Sequence, residues 1–441
     1  MRSDVTKRFL LCVLSGLVLC STNLQAKLPA FREFFKSSSL GPVKSKESAH
    51  FVVSWVHPRD EVIVDALLEH IEWAHRDLEP IFKDQSSTHK APVEIFPDLK
   101  DFSEVSGLSM ARFRATGTIA LTLEQRMMIL FPRNLAFGYG WAETVVHEYI
   151  HYLIREISEN MVPIWLHEGT AQLFQGYPYE KKPVLKPAQW GLFKKYKKQN
   201  KLLSLKSLQE PFPYKKDPEE AELSYVQALL FADWLNQSCG AIQLIRWAEA
   251  AQDLGAALEK CTKKSYKDLD AEFLPKIMAQ VKIPEGSDVE FYARDFSGRD
   301  PVEVEGQKKD RESRNFAELG SRLFNQGRFR ASAFEMDRAI HKTPAPPPSW
   351  QRQLAVSYQR ANDLSKSAQV LDKLLKDYPE DASGWFLRAA QLKKEKKHLE
   401  SWNALLHAFF VNPFLESLTD EMHLLKEEFP KFSYSFNMHK D

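Results

Sequence analysis

The C-terminal third of this 441-residue chain repeats itself with a period of 34 to 35 residues. In each unit a serine, two apolar residues and a proline recur at matching positions: Ser332, Met336, Ala339 and Pro344; Ser367, Leu371, Leu374 and Pro379; and Ser401, Leu405, Ala408 and Pro413. A short repeated unit cannot bury its apolar face alone, so neighbouring units must stack on one another to form a continuous core. The repeat therefore predicts an array of stacked units in this part of the chain.

These units resemble tetratricopeptide repeats. The first unit also has Phe316, Leu319-Gly320 and Leu323 where that pattern has an aromatic residue, Leu-Gly and a tyrosine-like residue. The resemblance implies an all-α domain over 313–441, made of three helix hairpins and a capping helix at Leu415–Phe429. It also implies a protein partner that the repeats bind.

The first 26 residues have the order of a secretory signal peptide. Three basic residues precede the apolar run Phe9–Cys20, and a polar stretch of mostly small residues leads to Ala26, after which we expect cleavage. The run is too short to span a bilayer, and no later segment reaches 18 apolar residues. The sequence predicts a periplasmic or secreted protein without a transmembrane helix. The alternatives left open are a lipid anchor at Cys20 and a prosegment at Lys27–Ser48 that covers the cleft.

Lys and Arg total 60 and Asp and Glu total 59, which leaves a formal net charge of +1. This balance gives no field that would gather nucleic acid, so we expect no nucleic-acid partner. Residues 181–201 nevertheless contain eight lysines and no acidic residue. We interpret this stretch as a solvated helix face, with a contact to anionic lipid or an acidic partner as the alternative.

Residues 27–282 mix extended and helical patterns, which predicts an α+β domain, followed by a linker at 283–312. The expected strands are His50–Val56, Val93–Phe96, Gly117–Thr122 and Met127–Phe131, the last two forming a hairpin. The expected helices are Val62–Phe82, a buried helix at Trp141–Ile157, a helix from about Pro163 to Phe174, and helical structure from Leu223 to Val281.

Two cysteines remain after the expected cleavage, Cys239 and Cys261. In an oxidising compartment they can form a disulfide; the alternative is a pair of buried thiols.

The segment His147-Glu148-Tyr149-Ile150-His151 lies within the expected buried helix. Residues four apart share one helix face about 6 Å apart along the axis, so both imidazoles can bind one zinc ion. Glu148 lies beside them, where it can take a proton from a water molecule. A catalytic zinc needs a third protein ligand, and Glu168 on the next expected helix is the candidate.

The pair of segments HEYIH and WLHEGTAQLF resembles the gluzincin metallopeptidases, over roughly His50–Phe273. The resemblance implies a zincin-like domain in which His147, His151 and Glu168 bind one Zn²⁺ ion and Glu148 is the general base. It also implies that Tyr225 stabilises the oxyanion, although Gln227-Ala228 stands where the aminopeptidase branch usually has Lys-Gly. Gln172 stands where thermolysin-like enzymes have an acidic residue.

The sequence has no Gly-x-Met-x-Asn segment, with which the aminopeptidases bind a free substrate amine. We therefore expect an endopeptidase acting on a peptide or protein, with Gly117–Thr122 as the strand that could pair with an extended substrate. The alternative is a catalytically inactive peptidase-like scaffold that binds proteins through its repeats. His167 is left open between an outer contact of the site and the surface, and His70 and His75 are expected to be solvated.

Overall fold

A computed structural model describes residues 30–82, 89–158, 162–176, 183–210, 212, 215, 217–286, 289–293, 302–304, 311–343 and 346–435. The expected signal peptide at 1–26, with Cys20, lies outside the described residues. Within them, no helix has the length and apolar character required to cross a bilayer. The chain is mostly helical with one small mixed sheet, which is compatible with the expected α+β class.

The sheet has five strands in the order β1-β2-β3-β5-β4. The strands are β1 (Lys44–Glu47), β2 (Phe51–Trp55), β3 (Ala91–Phe96), β4 (Ala120–Leu123) and β5 (Arg126–Leu130). The inner pairs β2/β3 and β3/β5 are parallel, while both outer pairs are antiparallel. β4 is therefore an edge strand, and β1 occupies the opposite edge.

The hairpin expected from the sequence is present between β4 and β5. Leu123 pairs with Arg126, and the two residues between them, Glu124 and Gln125, both have positive φ angles (47° and 57°). This is the conformation of a two-residue turn whose twist matches that of the flanking strands.

The helices that accompany the sheet are α1 (Phe31–Phe34), α2 (Val64–Phe82), α3 (Leu99–Ser106), α4 (Met110–Thr116), α5 (Trp141–Ile157), α6 (Ile164–Gln175), α7 (Pro187–Lys198), α8 (Pro218–Cys239), α9 (Ala241–Ala251), α10 (Leu254–Thr262) and α11 (Tyr266–Glu272). A π-helical segment at Phe273–Met278 follows α11. α5 has the bounds expected from the sequence, and α6 begins and ends one residue later than expected.

The described part of the segment proposed as a prosegment, 30–48, is built into this domain. Phe31 and Phe35 are buried against Phe96 of β3, and β1 pairs with β2. Because β1 lies at the sheet edge opposite β4, this segment does not cover the β4 edge.

Two contacts fix the helices around α6. A Cβ atom added to Gly169 would lie 2.4 Å from the carbonyl oxygen of Ala228, so α6 and α8 cross in direct backbone contact. A disulfide joins Cys239 at the end of α8 to Cys261 on α10, with 5.5 Å between the Cα atoms. α8 is therefore held against α6 on one side and α10 on the other.

The C-terminal helices are α12 (Arg311–Asn325), α13 (Phe329–His341), α14 (Pro348–Arg360), α15 (Leu364–Asp377), α16 (Ala382–Lys394), α17 (His398–Phe409) and α18 (Leu418–Glu428). Consecutive helices pack as α12/α13, α14/α15 and α16/α17. Each pair falls on one of the three sequence units, and α18 lies within the expected capping segment. Their assignment as tetratricopeptide repeats, and the domain limits, stay predictions.

The expected linker is described at 283–286, 289–293, 302–304 and the first two residues of α12. Its 302–304 turn is tied to the helical array, because Glu303 accepts a hydrogen bond from Ser349 and pairs with Arg352 at 3.0 Å.

The last helices of the array share a core with the N-terminal part of the chain. Trp402, Phe409 and Phe410 belong to the same buried cluster as the side chains of α2 and α5. The first helices form a separate cluster around Met336. The array is thus anchored at its C-terminal end.

Candidate metal centre

Three side chains from α5 and α6 converge on one point. The Nε2 atoms of His147 and His151 are 3.0 Å apart, and Oε2 of Glu168 lies 3.3 Å from each of them. In the described part of the chain, His147, His151 and Glu168 form the set of three potential ligands whose ligand atoms lie close enough together to hold a metal ion. The structure therefore brings together the three ligands predicted from the sequence.

The spacing of the three atoms fits a tetrahedral zinc ion. Bonds of about 2.0–2.1 Å place the ligand atoms of a tetrahedron about 3.3–3.4 Å apart, close to the separations seen here. Two imidazole nitrogens and one carboxylate oxygen are also a donor set that zinc accepts, and three protein ligands leave a fourth position for water or substrate. The residues present thus fit the ion that the sequence predicts.

The charges of the cluster favour a cation at this point. Burial alone would lower the pKa of His147, but the hydrogen bond and negative charge of Glu168 raise it to about 9. Burial would raise the pKa of Glu168, but His151 and His147 hold it far below its usual range. The buried carboxylate therefore requires a positive charge between it and the imidazoles, which a proton or a metal ion can supply.

The other nitrogen of each histidine has its own partner. His147 Nδ1 lies 2.7 Å from Oε1 of Gln175, and His151 Nδ1 lies 2.5 Å from Nδ1 of His167. Burial and the neighbouring His151 lower the pKa of His167, so its ring is neutral and can accept a hydrogen bond. Both Nδ1–H groups are then occupied, and both Nε2 lone pairs point to the centre.

These contacts complete and correct the sequence analysis. His167 is half-buried beside His151, which resolves the open choice in favour of an outer contact of the site. The residue that contacts Nδ1 of His147 is Gln175, seven places after Glu168, which was not predicted from the sequence. Seven residues make two helical turns, so Gln175 lies on the Glu168 face of α6 and the spacing was a usable signal.

Glu148 is buried next to the ligands and is held by the sheet edge. Thr122 of β4 has its Oγ1 2.7 Å from Oε2 of Glu148 and 2.9 Å from the Glu148 carbonyl oxygen. The hydroxyl donates to the carboxylate and ties α5 to β4. Thr122 lies in an expected strand, but no sequence pattern linked it to Glu148.

Tyr225 is half-buried on α8, with its ring packed edge-on against Phe212 at 5.0 Å between centroids. It precedes Ala228, the residue that contacts Gly169 of α6, by about one turn. Its role at the oxyanion stays a prediction.

The expectation that His70 and His75 are solvated is wrong. His70 is 1% exposed and packs against Phe410, and Nδ1 of His75 lies 2.6 Å from the hydroxyl of Tyr149. α2 turns this face toward α5 and the last repeat, which a helical period alone cannot reveal.

The lysine-rich stretch has internal partners as well as a solvated face. Lys195 pairs with Glu219 at 2.6 Å, and Lys197 donates to the carbonyl oxygen of Ala279 near the end of the helical region. Lys186 lies 3.0 Å from Glu143 and 2.8 Å from Glu380. Three of the eight lysines thus contact other residues of the protein.

Residues 74–277 match the family model of the Peptidase MA superfamily. The match includes α5, α6 and the three converging side chains, and it supports a peptidase-MA-like domain over this part of the chain. Members of this superfamily are typically metallopeptidases. No curated protein matches the chain.

Proposed function

We propose that the protein is a periplasmic or secreted zinc metallopeptidase that cleaves internal peptide bonds. The observation that carries the proposal is the convergence of His147, His151 and Glu168 on one point, with Glu148 buried beside them on the same helix. The match to the Peptidase MA superfamily supports the reaction class.

His147, His151 and Glu168 would hold the ion. When bound, zinc supplies Lewis acidity, which makes water acidic near neutral pH and polarises a carbonyl oxygen. Glu148 accepts a proton from the attacking water and later returns it to the leaving nitrogen, so that the proton count balances over the cycle. Because Thr122 donates to Oε2 of Glu148, Oε1 is the oxygen left to carry this proton.

The substrate would lie along β4. This strand is last in the sheet order, so its outer main-chain groups can pair with an extended peptide. Because Thr122 of β4 contacts Glu148, a peptide added to this edge would lie near the general base. Tyr225 would donate a hydrogen bond to the developing oxyanion.

The test compares zinc content and cleavage of a mixed peptide library between the wild type and Glu148→Gln. We expect Glu148→Gln to retain zinc and to lose cleavage by a factor of about 10²–10⁴. Glu156→Gln removes a carboxylate from the same helix and should cleave like the wild type. A chelator should abolish cleavage, and zinc should restore it. Equal cleavage by wild type and Glu148→Gln would refute the assignment.

A further inference from the structure

The start of α5, the helix that carries His147, Glu148 and His151, is covered by the far end of the chain. The backbone N–H of Tyr139 donates to the Val411 carbonyl at 3.1 Å, and that of Trp141 donates to the Phe410 carbonyl at 3.0 Å. The indole N–H of Trp141 also donates to the Phe409 carbonyl at 2.9 Å. The C-terminal end of α17 therefore satisfies donors at and just before the α5 N-terminus that have no intrahelical partner.

A carboxylate from the array adds to this cap. Gly140 is the N-cap residue of α5 and provides no side-chain cap for the helix. Instead, Oε1 of Glu380 accepts a hydrogen bond from the backbone N–H of Gly140 at 3.2 Å. Glu380 lies in the α15–α16 connection, 240 residues away in sequence. A Cβ atom on Gly140 would lie 2.8 Å from that oxygen, so a larger residue at this position would require the Glu380 side chain to shift. A negative charge at this position also complements the helix dipole.

The same carboxylate is connected to a metal ligand through side chains. Lys186 lies 2.8 Å from Glu380 and 3.0 Å from Oε2 of Glu143, one turn before His147 on α5. Oε1 of Glu143 accepts a hydrogen bond from Nε2 of Gln175 at 3.4 Å, and Oε1 of Gln175 lies 2.7 Å from His147 Nδ1. These contacts form a continuous path from the repeat array to His147.

We propose that Glu380 and Lys186 are positioning residues for the metal centre, so that the C-terminal repeats complete the site as well as offering a binding surface. Glu380 holds the first turn of α5, and Lys186 holds Glu143, which keeps the Gln175 amide oriented toward His147. Loss of this support lets the His147 ring and the start of α5 shift, and a metal site tolerates displacements of only about 0.5 Å. This inference rests on the zinc site of the proposed function but not on its cleavage of peptides.

The chain provides a matched control within the same array. Glu421 of α18 pairs with Lys393 at 2.6 Å, and its side chain is 37% exposed compared with 36% for Glu380. Glu421→Gln therefore breaks a comparable ion pair of the repeats, and among the described residues no hydrogen bond or ion pair joins Glu421 to α5.

The test uses the full chain and measures zinc affinity by competition with a chelator, together with hydrogen exchange of the α5 backbone amides. We expect Glu380→Ala to weaken zinc binding about 10–100-fold, the usual effect of removing an outer contact of a metal site. Exchange in the first turn of α5 should accelerate. Glu380→Gln keeps an oxygen that can accept the Gly140 N–H, so it should weaken zinc binding less than Glu380→Ala. Lys186→Met leaves the Gly140 cap in place and should also weaken zinc binding. It takes the place of Glu380→Ala in the test if that variant does not fold.

Glu421→Gln should bind zinc within twofold of the wild type. The inference is overturned if Glu380→Ala and Lys186→Met both bind zinc like the wild type, or if Glu421→Gln weakens binding equally. If no variant, including the wild type, cleaves peptides while the zinc affinities still differ as stated, the proposed function fails and this inference stands.

Discussion

The first and last helix pairs of the repeat array have the same sequence pattern and different surroundings. In the last pair, Phe409 and Phe410 occupy the positions that Ile340 and His341 occupy in the first, 69 residues earlier. Phe410 is 5% exposed and packs against Trp141 and His70, whereas the His341 side chain is 75% exposed. Position 341 of the first pair is thus exposed, whereas position 410 of the last pair packs against the peptidase-like domain.

A repeat pattern therefore specifies the contacts within and between units, but it does not specify what covers the outer units. Residues that follow the pattern, such as Ser332 and Ser401, are buried in both pairs. The residues just outside the pattern decide which pair docks. Substitutions at these positions test the difference between the two pairs.

The largest difference is expected from truncating the matched positions 410 and 341. Phe410→Ala removes a buried ring from the docking contact and should lower the free energy of unfolding by about 3–5 kcal/mol. His341→Ala removes an exposed side chain and should change it by no more than about 0.5 kcal/mol. Chemical denaturation measures both values, and similar losses for the two variants would contradict the asymmetry.

A smaller difference is expected between two glycines with the same backbone conformation. Gly138 and Gly327 both have φ of 74°, but a Cβ atom on Gly138 would lie 2.0 Å from the Val411 carbonyl oxygen, whereas one on Gly327 would meet nothing within 4 Å. Gly327→Ala should cost only the left-handed penalty of about 1–2 kcal/mol. Gly138→Ala should cost more, because the last repeat must also move; an equal cost in thermal or chemical denaturation would show that this contact is unimportant.

The smallest effect concerns pH. Burial lowers the pKa of His70 to about 3, although the hydrogen bond that its ring donates to the Tyr434 backbone acts in the opposite direction. In the unfolded state the pKa of His70 is near 6.5, so His70 is protonated there at pH values at which it stays neutral in the folded state. The free energy of unfolding therefore has its full value above pH 6.5 and falls as the pH drops toward 3.

The His70 contribution should be at most about 1.4 kcal/mol per pH unit, and His70→Gln should remove it. Denaturation midpoints measured from pH 7.5 to pH 5 test this. If the denaturation midpoint of His70→Gln depends on pH as strongly as that of the wild type, the buried histidine does not resist protonation.

Local patterns predicted much of the fold and of the metal ligands. The bounds of α5, the β4/β5 hairpin and the convergence of His147, His151 and Glu168 all depend on spacing along one or two adjacent elements. The convergence follows because α5 and α6 are joined by a short connection, which leaves few ways to place Glu168.

Contacts between distant elements could not be predicted in the same way. The burial of His70, the hydrogen bond from Thr122 to Glu148 and the cap that Glu380 provides to α5 depend on how separate layers pack. No residue spacing in one sequence records that packing. Gln175 is an intermediate case. Its distance of two helical turns from Glu168 could be predicted from the sequence, but its contact with His147 could not.

The central claim is that one zinc ion is held between α5 and α6. An anomalous difference map from crystals of the zinc-loaded protein, recorded at the zinc edge, tests it most directly. We predict a single peak about 2.0–2.2 Å from Nε2 of His147, Nε2 of His151 and a carboxylate oxygen of Glu168. No peak between these three side chains, or a peak held by other residues, would contradict the account.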